Sequence, residues 1–243
     1  MISLKGELKE INRLAEEFER EKAEKVLEWA LKEFHPRIAF ASSFGAEDVV
    51  IIDMLYKINP EARVFTLDTG RLPQETYDVM DKIREIYKIK IDVYFPNNAE
   101  VERMVREHGL NLFYKSVELR KLCCEVRKVE PLKRALSNLD AWITGIRREQ
   151  LYTRAKVKKI EVDFVHNGIV KVNPLADWSW EDVWKYITAN KVPYNKLHDK
   201  GYPSIGCLPC TRAIKEGEDF RAGRWWWERE AHKECGLHYS FNT

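Results

Sequence analysis

The sequence predicts an α/β fold in which a mainly parallel sheet carries helices on both faces. Short apolar runs alternate with longer segments whose apolar residues recur at helical spacing. Such alternation is typical of strand–helix–strand units, whose crossovers place helices over the sheet. Polar, glycine-containing stretches follow several of the apolar runs, and they predict loops at one edge of that sheet.

The predicted strands are short apolar or alternating runs, and one pair of them forms a hairpin. The strands between helices lie at 37–41, 64–67, 89–95 and 141–144. Asn167-Gly168 separates two further runs at 160–165 and 169–172. An Asn-Gly pair between two such runs is a strong hairpin signal, so we expect the strand–helix alternation to break there.

The predicted helices follow from apolar residues at helical spacing. They cover 7–34 (as one or two helices), 46–57, 73–87, 99–108, 117–129 and 180–190. From about residue 191 the chain is rich in Gly, Pro and aromatic residues. We interpret this last part as a lid folded over the sheet, and we expect one domain over residues 1–243.

Composition excludes several classes of protein. The formal net charge of +2 does not favour general nucleic-acid binding, which usually shows as a strongly basic face. The sequence contains no run of about 18 apolar residues, so no membrane span is predicted. The charged N-terminal residues lack the apolar core of a signal peptide. We therefore expect a cytoplasmic protein, in which paired cysteines are more typical of metal binding or catalysis than of disulfides.

Three loops at the predicted strand ends have the composition of an anion site. Small residues let backbone N–H groups approach a phosphate at a helix N-terminus, and arginine pairs with phosphate or sulfate through two parallel hydrogen bonds. Asp48, at the start of the following helix, is expected to organise the first loop. The candidate anion-binding residues of these loops are Ser42, Ser43, Phe44, Gly45, Asp68, Thr69, Gly70, Arg71, Gly145 and Arg147.

The five cysteines predict a metal centre and a separate reactive thiol. Cys123-Cys124 and the pair Cys207 and Cys210 are two half-sites far apart in the chain, and Cys235 stands alone near the C-terminus. Adjacent cysteines reach one small tetrahedral ion only with strain, whereas the separated iron atoms of a cluster accept them more easily. The pattern therefore favours an iron–sulfur cluster, with zinc and plain burial of the cysteines as alternatives.

The motifs around these cysteines resemble those of the iron–sulfur type of adenylyl-sulfate reductase. The resemblance covers roughly residues 37–238. It rests on CCEVRKVEP at 123–131, GYPSIGCLPCT at 201–211, GRWWWE at 223–228 and ECGLH at 234–238, with SSFGAED at 42–48 and LDTGR at 67–71. It implies an adenine-nucleotide α-hydrolase-like fold, with a nucleotide-binding core at about 37–206 and a C-terminal segment at 207–243 that carries the second cysteine pair and a catalytic tail.

The resemblance also implies a reaction. Adenylyl sulfate is reduced to sulfite and AMP in sulfate assimilation, with reduced thioredoxin as the electron donor. One [4Fe–4S] cluster would be held by Cys123, Cys124, Cys207 and Cys210, in a structural and electrostatic role. Cys235 would attack the sulfate sulfur and become an S-sulfocysteine. Lys128 would link the cluster to the substrate, and Arg147, Arg221 and Arg224 would contact its sulfate or phosphate.

Other functions remain open at this point. Related reductases of the 3′-phosphorylated nucleotide look like this chain without the four cluster cysteines, which favours adenylyl sulfate without excluding use of both. An ATP-dependent adenylating or sulfur-transferring enzyme would combine the same loops with cysteines. A zinc-stabilised nucleic-acid-binding module fits the cysteines but not the charge. The sequence is compatible with a homo-oligomer, and it leaves open whether His238 assists Cys235.

Overall fold

A six-stranded sheet lies at the centre of the part of the chain that the structure, a computed structural model, describes, which is residues 4–228. Its strands are β1 (Ile38–Ala41), β2 (Arg63–Leu67), β3 (Ile91–Tyr94), β4 (Ala141–Ile143), β5 (Ile160–Asp163) and β6 (Ile169–Val172). They lie in the order β3-β2-β1-β4-β6-β5. All neighbours are parallel except β5 and β6. The predicted, mainly parallel sheet is confirmed, and the hairpin supplies its antiparallel edge.

Helices precede, connect and follow the parallel strands. They are α1 (Leu4–Phe18), α2 (Ala23–Phe34), α3 (Ala46–Ile58), α4 (Gln74–Tyr87), α5 (Asn98–His108), α6 (Val117–Cys124), α7 (Glu130–Leu136) and α8 (Trp180–Asn190). The predicted helix at 7–34 is thus two helices. No helix in this described part is long and apolar enough to cross a membrane.

Both faces of the sheet are buried, as parallel sheets require. Side chains alternate along β1, so Ile38 and Phe40 enter the larger core with α2, α3 and α8. Ala39 points to the opposite face, where it joins Leu132 and Leu136 of α7. A third cluster of buried side chains surrounds the cysteines and includes Trp225.

The hairpin strand β5 ends two residues earlier than the sequence predicts. The carboxylate of Asp163 accepts hydrogen bonds from the backbone N–H groups of Val165 and His166, at 3.1 and 3.2 Å. These local bonds draw the chain into a short 3₁₀ turn before Asn167 and Gly168, whose φ angles of 62° and 75° reverse it. The Asn-Gly signal thus marks the turn correctly, and the side chain of Asp163 sets where the strand stops.

The cysteine-bearing helix is not uniform. The sequence predicts one helical segment over 117–129, but the regular α6 ends at Cys124 and is followed by a π-helical turn over Glu125–Val129. A π turn widens the helix and changes which side chains share a face. This turn carries Arg127 and Lys128, so it decides how both cations face the cysteines.

Candidate active site

A cavity of about 210 Å³ opens at the carboxyl ends of β1, β2 and β4. Ligands bind at this edge of open α/β sheets. The structure brings eight of the predicted site residues to its wall, namely Ser42, Ser43, Gly45, Thr69, Lys128, Gly145, Arg221 and Arg224. The strand-end loops and the C-terminal segment therefore enclose one space.

The loop after β1 is held by Asp48. One carboxylate oxygen of Asp48 accepts hydrogen bonds from the backbone N–H and the hydroxyl of Ser43, at 2.5 and 2.8 Å. Phe44 lies in the core with a φ of 59°, so it fixes the turn and does not line the cavity. Burial raises the pKa of Asp48 to about 7, with a smaller contribution from the charge of Glu47. The loop thus presents small polar residues at the N-terminus of α3, which favours an anion.

In the loop after β2, some of the predicted residues shape the turn and others face one of the two cavities. Asp68 accepts hydrogen bonds from the N–H of Gly70 (2.8 Å) and from the Tyr77 hydroxyl (3.0 Å), so it builds the turn. Thr69 lines the large cavity, and its hydroxyl lies 3.2 Å from Sγ of Cys207. Arg71 turns away from this cavity and donates to the carbonyl of Leu110 at 2.6 Å. Of the four predicted residues in this loop, Thr69 alone lines the large cavity.

Arg147 does not line the cavity. Its side chain is 1% exposed, and its Nε donates to Glu47 at 2.8 Å. A second nitrogen donates to Glu149 and to the carbonyl of Trp178, each at 3.2 Å. The structure therefore places Arg147 behind the wall, where it orients Glu47.

Sequence reasoning missed several residues of the wall. Glu47, Gln150 and Arg154 line the cavity beside the predicted loops. Gln150 donates to Glu47 at 3.0 Å and accepts from Arg154. Arg154 adds a buried guanidinium from the segment after β4. Arg221 and Arg224 reach the same cavity from the C-terminal segment. Glu47 lies within the SSFGAED motif, and the only sequence signal for Gln150 and Arg154 is their position shortly after the strand-end glycine, Gly145.

The four predicted metal ligands line a second, smaller cavity. Cys123, Cys124, Cys207 and Cys210 surround it together with Arg71, Phe113, Arg120, Arg127, Lys128 and Pro209. Burial, with the nearby charge of Cys207, raises the pKa of the Cys210 thiol to about 12. Within residues 4–228, no three His, Cys, Asp or Glu side chains form a group that could hold a metal ion. Two distant half-sites nevertheless converge on one cavity with four cations in its wall.

Lys128 lines both cavities. The neighbouring Arg127 donates to the carbonyl of Thr69 at 2.6 Å, so the cysteine helix is bonded directly to a wall residue of the large cavity. The two cavities are therefore neighbours that share a cationic wall. The side chain of Lys128 therefore places a positive charge between the four cysteines and the large cavity at the carboxyl ends of the strands.

The C-terminal segment closes this wall with stacked arginines. Arg224 is 5% exposed, and its guanidinium lies over the Trp225 ring at 4.9 Å. Its Nε is buried and has no hydrogen-bond partner among the described residues. Trp225 has a φ of 44°, a strained backbone for a bulky residue. Cys235 and His238, the remaining predicted tail residues, lie outside the residues that the structure describes.

Fold and site together define an open α/β protein with a cation-lined cavity at the carboxyl ends of its parallel strands. Residues 37–213 match the model of the phosphoadenosine phosphosulfate reductase domain, and the chain belongs to this family. Two curated relatives are each called adenosine 5′-phosphosulfate reductase. That of Burkholderia cepacia is 54% identical over 87% of this chain and 84% of its own length. That of Allochromatium vinosum is 53% identical over 83% of this chain and 78% of its own length.

Solved structures agree with this assignment. The phosphoadenylyl-sulfate reductase of Candida auris, solved as a phosphate complex, superimposes with a TM-score of 0.72 and 32% identity, over 88% of this chain and 98% of its own. FMN adenylyltransferase of Candida glabrata reaches a TM-score of 0.54 at 14% identity, over 89% of this chain and 74% of its own. This second likeness supports the fold alone.

Proposed function

We propose that this protein is a cytoplasmic enzyme that reduces adenylyl sulfate to sulfite and AMP in sulfate assimilation. The observation that carries the proposal is the position of Lys128, which lines both the cavity at the nucleotide edge of the sheet and the cavity of the four cysteines. The curated relatives that are called adenosine 5′-phosphosulfate reductase support the choice of substrate.

The large cavity suits a doubly anionic nucleotide. The Ser42 hydroxyl and the N-terminus of α3 would offer donors to the phosphate. The N–H and hydroxyl of Ser43 already donate to Asp48, so Ser43 holds the loop in shape. Lys128, Arg221 and Arg224 supply fixed cations for the sulfate group. Such preorganised charge offsets the repulsion between an anionic nucleophile and an anionic substrate, and it stabilises the charge that moves onto the departing phosphate.

The chemistry is a two-step thiol reaction. The Cys235 thiolate attacks the sulfate sulfur, the bond from sulfur to the bridging oxygen breaks, and AMP leaves with that electron pair. A thiolate of reduced thioredoxin then attacks Sγ of Cys235, and sulfite leaves with the electrons of the bond between the two sulfur atoms. The second thioredoxin thiol resolves the mixed disulfide and regenerates Cys235. The role of Cys235 rests on its ECGLH motif.

The four cysteines have the donor set of a [4Fe–4S] cluster, because soft thiolates from two half-sites face one cavity with cations around it. When bound, the cluster would supply a fixed negative charge beside Lys128, and the thiol route requires no electron from it. Lys128 would hold its ammonium group between the cluster and the substrate sulfate. Arg127, bonded to Thr69, would keep the cysteine helix against the nucleotide loop.

A second substrate is favoured by one comparison. The phosphoadenylyl-sulfate reductase of Candida auris shares the fold at 32% identity, so the 3′-phosphorylated nucleotide is an alternative substrate of the same chemistry. Relatives at 46–54% identity are called adenosine 5′-phosphosulfate reductase, which makes adenylyl sulfate the first choice.

The proposal is tested by trapping the intermediate without a reductant. Protein purified without oxygen is mixed with adenylyl sulfate, and intact and peptide mass spectra are recorded. We expect a mass increase of one sulfonate group on the peptide of Cys235, with one equivalent of AMP released. Cys235→Ser should give neither, and Cys123→Ser should lose bound iron and acid-labile sulfide. Wild-type protein that releases no AMP and gains no sulfonate contradicts the proposal.

A further inference from the structure

The last described turn of the chain is fastened to the cysteine helix by a buried ion pair. Nε and Nη2 of Arg120 donate to the two carboxylate oxygens of Glu228, at 2.8 and 3.0 Å. The two side chains are 4% and 2% exposed. They are 108 residues apart in sequence, and a bidentate pair of this kind fixes orientation as well as distance.

The same arginine also holds the neighbouring aromatic residue. The guanidinium of Arg120 lies over the Trp225 ring at 4.7 Å, and those of Arg224 and Arg221 lie at 4.9 and 6.0 Å. Three guanidinium groups therefore surround one indole whose backbone is in the left-handed region. A bulky residue keeps such a conformation only where its surroundings over-determine it. The segment from Arg224 to Glu228 is thus a fixed structure.

This fixed structure stands at the meeting point of the two cavities. Arg120 lines the cysteine cavity, and Arg224 lines the large cavity. Cys235 follows Glu228 by seven residues, and seven extended residues span about 24 Å at most. Whatever path the chain takes after Glu228, Cys235 therefore lies within this distance of the ion pair.

We propose that the Arg120–Glu228 pair is the anchor of the catalytic tail, and that Glu228 is a positioning residue for the attack by Cys235. The proposal rests on the function proposed above, because it takes Cys235 as the nucleophile. The anchor fixes the last described residue beside both cavities, and this limits the distance between Cys235 and the bound sulfate. Without the pair, a buried Arg120 loses its counter-charge, and the segment that ends at Glu228 is released.

The test is the rate of a single S-sulfonation in Glu228→Gln. Glutamine keeps the size of the side chain and removes its charge. The matched control is Glu218→Gln, which breaks a bidentate pair with Arg212 (2.7 and 2.9 Å) in the same C-terminal segment but at the surface. Protein and saturating adenylyl sulfate are mixed without thioredoxin, and the sulfonate on Cys235 is followed by quenched-flow mass spectrometry. AMP affinity and iron content are measured on the same samples.

The proposal predicts that Glu228→Gln slows S-sulfonation by about tenfold or more, while its AMP affinity and iron content stay within twofold of wild type. In steady state its kcat falls and its KM for adenylyl sulfate does not rise. Glu228→Asp keeps the charge on a shorter side chain, so its S-sulfonation rate should lie between those of wild type and Glu228→Gln. The rate of Glu218→Gln should match that of wild type.

Two results would contradict the proposal that the Arg120–Glu228 pair anchors the tail. One is an unchanged S-sulfonation rate in Glu228→Gln. The other is a slower rate accompanied by an equal loss of AMP affinity or iron, which assigns the pair to general stability. If Glu228→Gln does not fold, Glu228→Asp decides by the same criteria. Absence of any sulfonate on wild-type Cys235 refutes the proposed function instead, so the two failures are distinguishable.

Discussion

Gly206→Ala tests whether Arg224 contacts the sulfate group. A Cβ at position 206 would lie 2.3 Å from Nη2, 2.5 Å from Nη1 and 2.6 Å from Cζ of Arg224. Because non-bonded heavy atoms settle at about 3.5–4.0 Å, the guanidinium must move by roughly 1 Å or more. A hydrogen bond to a charged group contributes about 1.5–3 kcal/mol, and each 1.4 kcal/mol is about tenfold in affinity. The substitution should therefore weaken sulfate binding about 10- to 100-fold.

The assay is calorimetric titration in a Cys235→Ser background, with adenylyl sulfate and with AMP. AMP lacks the sulfate, so we expect its affinity to stay within about twofold while that of adenylyl sulfate falls. Gly217→Ala is the control: a Cβ there meets no atom within 4 Å, and its φ of 83° makes alanine cost stability without moving Arg224, so its affinity for adenylyl sulfate should match the parent. Equal affinity of Gly206→Ala and its parent for adenylyl sulfate would show that Arg224 does not contact the sulfate group. An equal loss of affinity for both ligands would show the same.

Three further substitutions test other parts of the site. In Gly223→Ala the new Cβ would lie 2.3 Å from the backbone carbonyl of Arg212, which cannot swing aside, so urea unfolding should show a loss of about 1–3 kcal/mol. Lys128→Met should lower kcat at least about tenfold in a sulfite assay because a cation leaves the shared wall, whereas Lys133→Met, at an exposed ion pair on α7, should not. The pKa of Asp48 is raised to about 7, so its carboxyl group ionises as the pH rises through 7 and then repels an anionic ligand. The affinity for adenylyl sulfate, measured by calorimetric titration, should therefore fall as the pH rises through about 7. Asp48→Asn should flatten this pH dependence.

Much of the fold is predictable from local sequence. Apolar runs and helical spacing locate the strands and helices, and the Asn-Gly pair locates the antiparallel edge. Because parallel strands end at one edge, the loops that contain Ser43, Thr69 and Gly145 could be placed together before the structure was known.

The remaining features depend on contacts between distant residues. Arg147 follows a strand end as a substrate-binding arginine would. Its Nε instead donates to Glu47, which is 100 residues away in sequence, and a second nitrogen donates to Glu149 and to the carbonyl of Trp178. Arg154 and the Arg120–Glu228 pair carry no local pattern, because each depends on how separate segments pack. The π turn after Cys124 is likewise invisible in the spacing of apolar residues.

The most direct test of the central claim is sulfite release. Protein purified without oxygen is mixed with reduced thioredoxin and either adenylyl sulfate or its 3′-phosphorylated form, beside the Cys235→Ser variant. We expect sulfite and AMP from adenylyl sulfate, with a preference over the 3′-phosphorylated nucleotide, and no sulfite from the variant. Activity on the 3′-phosphorylated nucleotide alone would overturn the substrate assignment. No sulfite from either nucleotide, or undiminished release by Cys235→Ser, would contradict the mechanism.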